Sequence, residues 1–389
     1  MLKVLNLLPK DPLFDLQAQF QQDPRPQKIN LGIGAYVSED GSPYVMPTMQ
    51  KIAEQLPYDN FDYFPIGGSA VFLRQTAELF LGEGTDAQSL ACQSTCGGTH
   101  ACRLFAQLAQ QMGIQRVLLP TPTWVNHQNI FSDFSVETLA HLSPDGAFHQ
   151  QAYLDAIKRV DQPTVLLLHG GSAHNPTGIN MTLSELKELA ALMKQKPIFV
   201  LLDFAYLGLG AGVSSDAEFA QVLFSELQDV ALAVSYSKNA TLYRHRTGAL
   251  IMKTNQKEAV ESHLQAMVRK TISNPPAFGQ QVLVEAFAHH RQAWMNDIDA
   301  MRQSIDDRRT QLIASVPALQ HLQKSKGLFA LLPLSKEQVL FLRETEAVYM
   351  PDSGRINLAG VLPSVLPYLA QALRGVMGIG SGRESGICS

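Results

Sequence analysis

The side chains that could carry out chemistry in this sequence follow short apolar runs in its middle third. Lys238 comes directly after one such run, and Asp203 comes after another. Tyr206 adds a phenol three residues after Asp203. Asn175 adds an amide after a third apolar run, and Trp124 adds an aromatic ring after a fourth. A partly desolvated lysine acts as an amine nucleophile, whereas a buried carboxylate needs a cationic or hydrogen-bonding partner.

Pyridoxal phosphate uses all of these groups. It needs a lysine amine for covalent attachment and a carboxylate beside its pyridine nitrogen, here Lys238 and Asp203. Tyr206 and Asn175 offer hydrogen bonds to the phenolic oxygen of the ring, and Trp124 offers a stacking surface. The residues themselves therefore predict a site for this cofactor.

The phosphate of such a cofactor needs an anion site. Gly97, Gly98 and Thr99 precede a strongly helical stretch, 101–112, and backbone N–H groups at a helix start bind anions. A positive charge and two hydroxyl groups lie further along the chain, at Arg246, Ser235 and Ser237. We expect these groups to hold the phosphate.

The elements that position these residues alternate between strands and helices. Continuous apolar runs predict buried strands at 116–119, 164–168, 198–202 and 231–234. Amphipathic stretches at 182–193 and 216–227 predict helices between them. The pattern indicates an α/β fold with a mostly parallel sheet between helices, in which ligands bind at the carboxyl ends of the strands.

The pattern changes after residue 301, where a long charged helix precedes short strands at 328–331, 347–350 and 355–358. We therefore predict a large cofactor-binding domain over 44–300. Residues 1–43 and 301–389 are predicted to form a smaller α+β domain, with a flexible tail over 378–389. The length of 389 residues suits two domains.

Composition excludes several classes of protein. The net charge of −4 and the pI near 6.3 argue against a nucleic-acid or anionic-membrane surface, and no apolar run is long enough to span a membrane. Four cysteines do not make a disulfide framework, and Cys92, Cys96 and Cys102 lack the spacing of a metal site. We expect reduced thiols, no metal and a cytoplasmic location.

The combination of motifs resembles the aspartate/aromatic aminotransferases of fold type I over 11–374, nearly the whole chain. The motifs that carry the resemblance are Tyr63-Phe-Pro-Ile-Gly-Gly68, Pro122-Thr-Trp-Val-Asn-His127, His174-Asn-Pro-Thr-Gly178, Asp203-Phe-Ala-Tyr206, Ser235-Tyr-Ser-Lys-Asn239 with Leu242, Tyr243 and Arg246, Ser273-Asn-Pro-Pro276, and Ser353-Gly-Arg355 with Ala359 and Gly360.

The resemblance implies a role for each matching residue. Lys238 would attach the cofactor, Asp203 would pair with the pyridine nitrogen, and His127 would support Asp203. Tyr206 and Asn175 would bind the phenolic oxygen, and Trp124 would stack on the ring and contact substrate. The implied phosphate ligands are Gly98, Thr99, Ser235, Ser237, Arg246 and, across a homodimer interface, Tyr63.

Two arginines would hold the substrate. The resemblance implies that Arg355 grips the α-carboxylate, helped by Gly34 and Asn175, and that Arg269 crosses from the partner subunit to the side-chain carboxylate. An obligate homodimer with shared sites follows. The implied activity is transamination between L-aspartate and 2-oxoglutarate, giving oxaloacetate and L-glutamate.

Alternatives differ in substrate, reaction or class. An aromatic-amino-acid aminotransferase keeps both arginines, and the apolar Val37, where aspartate-selective members often carry lysine, favours it. A decarboxylase or β-lyase does not need Arg269, and an inactive regulator does not need Lys238 with Asp203. A dehydrogenase and a serine hydrolase lack their glycine motifs in this sequence.

Two departures from the family pattern bear on the site. His100 stands where a glycine usually follows the Gly-Gly-Thr motif, so it either reshapes the cofactor loop or points away from the helix start, and we expect the second. The segment from His169 to His174 is one residue longer than usual, which leaves the role of His169 open.

Overall fold

The computed structural model describes residue 7 and residues 10–57, 62–171 and 173–379. Cys388 and most of the predicted tail lie outside the described residues. Within them, no helix is both long enough and apolar enough to cross a membrane. Cys92, Cys96 and Cys102 are free thiols, as expected.

The described residues form thirteen α-helices and eleven β-strands. The helices are α1 (Pro12–Gln22), α2 (Pro47–Gln55), α3 (Ala70–Leu81), α4 (Gly98–Gln111), α5 (Val125–Ile130), α6 (Gln150–Arg159), α7 (Leu183–Met193), α8 (Val213–Glu226), α9 (Lys257–Thr271), α10 (Phe278–His289), α11 (Arg291–Ser315), α12 (Lys336–Glu344) and α13 (Leu366–Val376). The strands are β1 (Ile29–Asn30), β2 (Ala91–Thr95), β3 (Arg116–Thr121), β4 (Ser135–Ala140), β5 (Thr164–His169), β6 (Ile198–Phe204), β7 (Val230–Ser235), β8 (Gly248–Lys253), β9 (Phe329–Leu331), β10 (Val348–Tyr349) and β11 (Arg355–Asn357).

A seven-stranded mixed sheet organises the larger part of the chain, in the order β2-β8-β7-β6-β5-β3-β4. The strands from β7 to β4 pair in parallel, and β8 pairs antiparallel with both β7 and β2. All four apolar runs predicted as strands lie in this sheet. The predicted mostly parallel sheet is therefore confirmed.

Both faces of the sheet are buried, which explains why its central strands have no alternating pattern. Leu167 and Leu201 pack into one apolar cluster with Leu104 and Phe105 of α4. Because neighbouring residues of a strand point to opposite faces, residues such as Leu202 face the other side, and Leu202 is also buried. A strand covered on both faces has to be apolar throughout.

The first residues of the helices differ by up to three positions from those that the apolar pattern predicts. α7 begins where expected, because Thr182 and Glu185 form a capping box at its first turn. α4 begins at Gly98 rather than 101, and α8 begins at Val213 rather than 216. Each N-cap is a glycine, Gly97 or Gly212, which leaves no capping side chain as a signal in the sequence.

The chain divides into two compact units. One contains Tyr44–Ser304 and Lys324–Gly327, and it holds the seven-stranded sheet. The other contains the described residues up to Pro43, Ile305–Gln323 and the described residues from Leu328 onward. Within this second unit β1 pairs in parallel with β10, and β11 pairs antiparallel with β9. The three short strands predicted after residue 301 are present in it.

Candidate active site

The carboxyl ends of four parallel strands gather the predicted residues of the sheet unit. Asp203 is the sixth residue of β6 and pairs in register with His169, the last residue of β5. Ser235 ends β7, and Lys238 follows in the next turn. Parallel strands present their carboxyl ends at one edge, so these side chains share the position where open α/β sheets bind ligands.

A chain of hydrogen bonds through three side chains leads to Asp203. His127 Nε2 lies 3.0 Å from Asp203 Oδ2, and His127 Nδ1 lies 2.9 Å from Thr123 Oγ1. Thr123 Oγ1 in turn lies 2.8 Å from His169 Nε2. A carboxylate only accepts, so His127 donates to Asp203 from Nε2, and the Thr123 hydroxyl joins the other nitrogen of His127 to His169. The chain therefore fixes the orientation of the His127 ring.

Two further histidines continue this cluster. The ring of His174 lies 4.1 Å from that of His169, and it stacks on His141 with ring centroids 3.5 Å apart and planes 9° apart. Burial, with His127 and His141 nearby, lowers the pKa of His169 well below its usual 6.5. Burial and the same neighbouring histidines also hold the pKa of His174 well below that value. These imidazoles are neutral, as close stacking requires.

Lys238, Tyr206 and Asn175 follow the ends of β7, β6 and β5 and lie close to one another. Asn175 Nδ2 donates to the Tyr206 hydroxyl over 3.3 Å, and Lys238 Nζ lies 5.2 Å from the centroid of the Tyr206 ring. Tyr206 and Asn175 are buried, and Lys238 is half-buried. The structure thus brings an amine, a phenol and an amide together, and Asp203 lies at the end of the strand that precedes Tyr206.

The start of α4 fits a phosphate. Its N-cap, Gly97, has no side chain to accept hydrogen bonds from the first turn, and no side-chain cap is present among the described residues. A Cβ atom at Gly97 would lie 3.0 Å from Arg246 Nη2, and one at Gly98 would lie 3.1 Å from Ser235 Cβ. Glycine therefore lets Arg246 and Ser235 approach the start of α4 closely, next to the first-turn residue Thr99.

Trp124 is the N-cap of α5, and its half-buried ring meets the edge of His127 with centroids 5.2 Å apart. Cys102 lies close by on α4, and its thiol, His127 and Asp203 offer donor atoms within 4.8 Å of one another. Burial raises the pKa of the Cys102 thiol well above 9. His127 Nε2 is engaged by Asp203, and we assign this group to packing and hydrogen bonding.

Comparisons with known proteins agree with this geometry. A family model described as aminotransferase class I and II matches residues 26–373. The chain belongs to this family. The aminotransferase prediction, its enzyme class and its fold are confirmed, and pyridoxal phosphate is the cofactor of the family.

Aspartate aminotransferases are among the aminotransferases most similar in sequence. The mitochondrial aspartate aminotransferase of Xenopus tropicalis is 35% identical over 95% of this chain and 91% of its own length. The aspartate aminotransferase of Escherichia coli K12 is 34% identical over 97% of this chain and 100% of its own length.

Solved aminotransferase structures of both substrate classes share the fold. Cytoplasmic aspartate aminotransferase from Saccharomyces cerevisiae superposes with a TM-score of 0.91 at 28% identity, covering 96% of this chain and 98% of its own. An aromatic-amino-acid aminotransferase from Burkholderia pseudomallei, covalently bound to pyridoxal phosphate, gives 0.89 at 27% identity with the same coverage.

The two predicted substrate-binding arginines of this aminotransferase lie in different units of the chain, and Tyr63 lies in the same unit as Arg269. Arg269, in the last turn of α9, is exposed and donates to the Ser273 hydroxyl, and Tyr63 is 82% exposed. In the other unit, Arg355 is buried, donates to the Gly32 carbonyl and lies 4.6 Å from the Phe329 ring centroid, while Gly34 is exposed.

Sequence reasoning missed part of this site. The series of contacts that runs from Thr123 through His169 to His141 has no signature in the local sequence, because its members come from separate strands and loops. The expectation for His100 was wrong, since its imidazole turns back toward the loop and accepts a hydrogen bond from Cys96.

Proposed function

We propose that this aminotransferase transfers the amino group of L-aspartate to 2-oxoglutarate, giving oxaloacetate and L-glutamate. The observation that carries the cofactor chemistry is the His127–Asp203 hydrogen bond of 3.0 Å at the sheet edge where Lys238 follows β7, and the aspartate aminotransferases similar in sequence support the choice of substrate. When bound, pyridoxal phosphate supplies an electron sink that stabilises negative charge at the substrate Cα.

Asp203 would keep the pyridine nitrogen of the bound cofactor protonated. Its carboxylate is 9% exposed, and His127 donates to one of its oxygens. Thr123 contacts the other ring nitrogen of His127 and is itself hydrogen-bonded to His169, which keeps Nε2 of His127 directed at Asp203. A carboxylate oriented in this way stabilises a cationic N–H in a water-poor site more strongly than a mobile one does.

Lys238 attaches the cofactor and later acts as general base at the substrate Cα. Its half-buried position beside Tyr206 keeps the amine within the site and away from bulk water. Tyr206 and Asn175, which are already hydrogen-bonded to each other, donate to the phenolic oxygen of the ring. Trp124 stacks on the ring and faces the substrate.

The phosphate lies at the start of α4. The first-turn N–H groups of Gly98 and Thr99 donate to it, and Arg246 provides the positive charge. Ser235 and Ser237, both buried, contribute hydroxyl groups. Arg246 Nη1 already lies 3.4 Å from Ser237 Oγ, which supports a shared anion for the two side chains.

The substrate carboxylates are bound by two arginines in our proposal. Arg355 takes the α-carboxylate with Gly34 and Asn175, and Arg269 takes the distal carboxylate of a dicarboxylic substrate. A planar guanidinium matches a carboxylate through two parallel hydrogen bonds. The buried setting of Arg355, with Phe329 beneath its guanidinium, favours a single orientation.

A homodimer completes the site in this proposal. In this proposal Tyr63 reaches the phosphate of a partner subunit and Arg269 reaches its substrate, and the exposure of both side chains supports it. We further propose that small molecules are its ligands, that it acts without nucleic acid or membrane, and that it works in the cytoplasm. Its free thiols suit a reducing compartment.

An aromatic-amino-acid aminotransferase is the second candidate. Aromatic aminotransferases are among the solved structures with TM-scores near 0.9, and one from Psychrobacter was crystallised with aspartic acid. Val37, the apolar departure from aspartate-selective members, is buried in its own unit and paired with Pro43. An apolar side chain there favours aromatic substrates.

The deciding experiment is a panel of amino donors with 2-oxoglutarate, compared by kcat/KM. We expect aspartate to be the best donor. Higher kcat/KM for phenylalanine or tyrosine would replace the first candidate with the second. Absence of transamination with every donor would overturn both.

A further inference from the structure

His100 contacts the loop that leads into α4. The backbone N–H of Cys96 donates to His100 Nδ1 over 3.1 Å. An N–H group donates only to a lone pair, so the proton of the neutral imidazole is on Nε2. Burial lowers the pKa of His100, which favours this neutral form. The third residue of α4 thus reaches back across the phosphate cradle to the residue before Gly97.

The other side of Cys96 is held by Arg246. Arg246 Nη2 donates to the Cys96 carbonyl over 3.1 Å, and its Nη1 donates to the Tyr243 carbonyl over 3.1 Å. The N–H and the C=O of Cys96 are therefore bound by two side chains from different elements, His100 on α4 and Arg246 on the segment between β7 and β8.

This double attachment fixes the backbone where the helix begins. Gly97, the next residue, has a φ of +79°, a conformation that glycine adopts readily. The Gly97 carbonyl accepts from Thr95 Oγ1 over 3.1 Å and from the Ala101 N–H over 3.1 Å. The first-turn N–H groups are consequently aimed by contacts that exist without an anion.

We propose that His100 is a positioning residue for the cofactor phosphate, because its acceptor nitrogen holds Cys96 and presets the N–H groups at the start of α4. The proposal rests on the phosphate lying at this helix start. It predicts that the hydrogen-bond acceptor of residue 100 matters, and that the bulk of its ring does not.

Two variants distinguish the effect of the hydrogen-bond acceptor of residue 100 from the effect of its ring size. H100N places an amide oxygen close to the position of Nδ1, and H100F keeps a ring but has no acceptor. In cofactor-free protein, we expect H100F to bind inorganic phosphate and pyridoxal phosphate about three- to tenfold more weakly, as loss of one hydrogen bond implies. H100N should stay within about twofold of the unmodified protein. Calorimetry gives the phosphate affinity, and visible absorbance gives that of the cofactor.

Backbone hydrogen exchange reports the same contact directly. The Cys96 amide should exchange faster in H100F than in the unmodified protein, and H100N should restore its protection. H263A is the matched control, since exposed His263 contacts Gln111 at the other end of α4, over 2.7 Å. It should leave phosphate affinity and Cys96 exchange unchanged.

Three results would overturn the proposal. Equal phosphate affinity in H100F and the unmodified protein removes the positioning role, and tight binding by H100F with weak binding by H100N assigns the effect to bulk. R246A tests the underlying site, because it should weaken phosphate more than H100F does. Unchanged phosphate affinity in R246A would place the phosphate elsewhere, and the roles of Arg246 and His100 at the phosphate would both fail, whereas the donor panel tests the transamination separately.

Discussion

His127 Nε2 lies 3.0 Å from Asp203 Oδ2, and its other nitrogen is engaged by Thr123. The imidazole is thus held in one orientation by contacts at both of its nitrogens, and the carboxylate accepts a hydrogen bond from Nε2. The arrangement leaves Asp203 as the one carboxylate among the proposed site residues, and its effect on proton removal can be measured separately from cofactor attachment.

Asp203→Ala should leave the protein folded and able to attach the cofactor at Lys238. It should slow removal of the substrate Cα proton by roughly 30-fold to several thousand-fold, because an unmatched charge in a desolvated pair costs about 2–5 kcal/mol. Single-turnover exchange of α-deuterated aspartate measures this step. Asp203→Glu, which keeps the charge, is the control and should lose less. An unchanged exchange rate in Asp203→Ala would contradict the role.

Lys238→Arg keeps a cation and removes the nucleophilic amine. Borohydride treatment of the unmodified protein should fix the cofactor to Lys238, as peptide mapping would show, and the variant should carry no label. Turnover should fall by at least about 10²- to 10⁴-fold, because the general base is lost. Lys253→Arg, at the end of β8, is a control that should keep both label and turnover. A label at another lysine would refute the assignment.

The histidine stack predicts sensitivity to acid. His141 accepts from the Tyr153 hydroxyl and donates to the Ile179 carbonyl, and burial lowers its pKa from 6.5 to about 4. Since the unfolded chain takes up this proton first, the folded state loses stability as pH falls from 6.5 toward 4. The full shift corresponds to about 3 kcal/mol.

His141→Phe should keep the stack on His174 and remove this titration. The apparent melting temperature of the cofactor-free variant should therefore fall less between pH 7 and pH 4.5 than that of the unmodified protein, whatever its value at pH 7. His289→Phe, at an exposed position, should follow the unmodified profile. Parallel profiles for His141→Phe and the unmodified protein would exclude His141 as a source of acid sensitivity.

The residues at the strand ends were predictable for a physical reason. A strand buried on both faces must be apolar throughout, so the first polar residue after the run marks the sheet edge, as Asp203 does. The His141–His174 stack was not predictable, because it joins the segment after β4 to the loop after β5 through tertiary packing. His100 was misplaced for a related reason. Helical periodicity gives the direction of a side chain along an ideal helix, but not whether an unpaired N–H group in the preceding loop attracts it.

The shared-site proposal predicts complementation between subunits. A dimer of a Lys238→Arg subunit and an Arg269→Ala subunit contains one site with both native residues, if Arg269 serves the partner. Mixing the two inactive variants under conditions that exchange subunits should therefore restore aspartate activity. Mixing Lys238→Arg with Asp203→Ala is the control. Each of these residues is expected to act in the site of its own subunit, so that mixture should stay inactive. No recovery in the first mixture would defeat the shared-site proposal.

The two arginines should differ in the substrates they affect. Every amino acid has an α-carboxylate, so Arg355→Ala should depress kcat/KM for aspartate, glutamate and phenylalanine alike. Dicarboxylic substrates alone have a second carboxylate, so Arg269→Ala should depress aspartate and glutamate and leave phenylalanine within about tenfold. Loss of one partner of a desolvated pair costs about 2–5 kcal/mol, which is roughly 30-fold to several thousand-fold in kcat/KM.

Lysine variants at both positions are the matched controls for these arginines. Lysine keeps the charge but lacks the planar pair of donors, so each should recover only part of the loss. If Arg269→Ala weakens phenylalanine as much as aspartate, Arg269 supports the structure or the cofactor rather than the distal carboxylate. The assignment of a dicarboxylic substrate would then lose its main support, and the aromatic-amino-acid candidate would take its place.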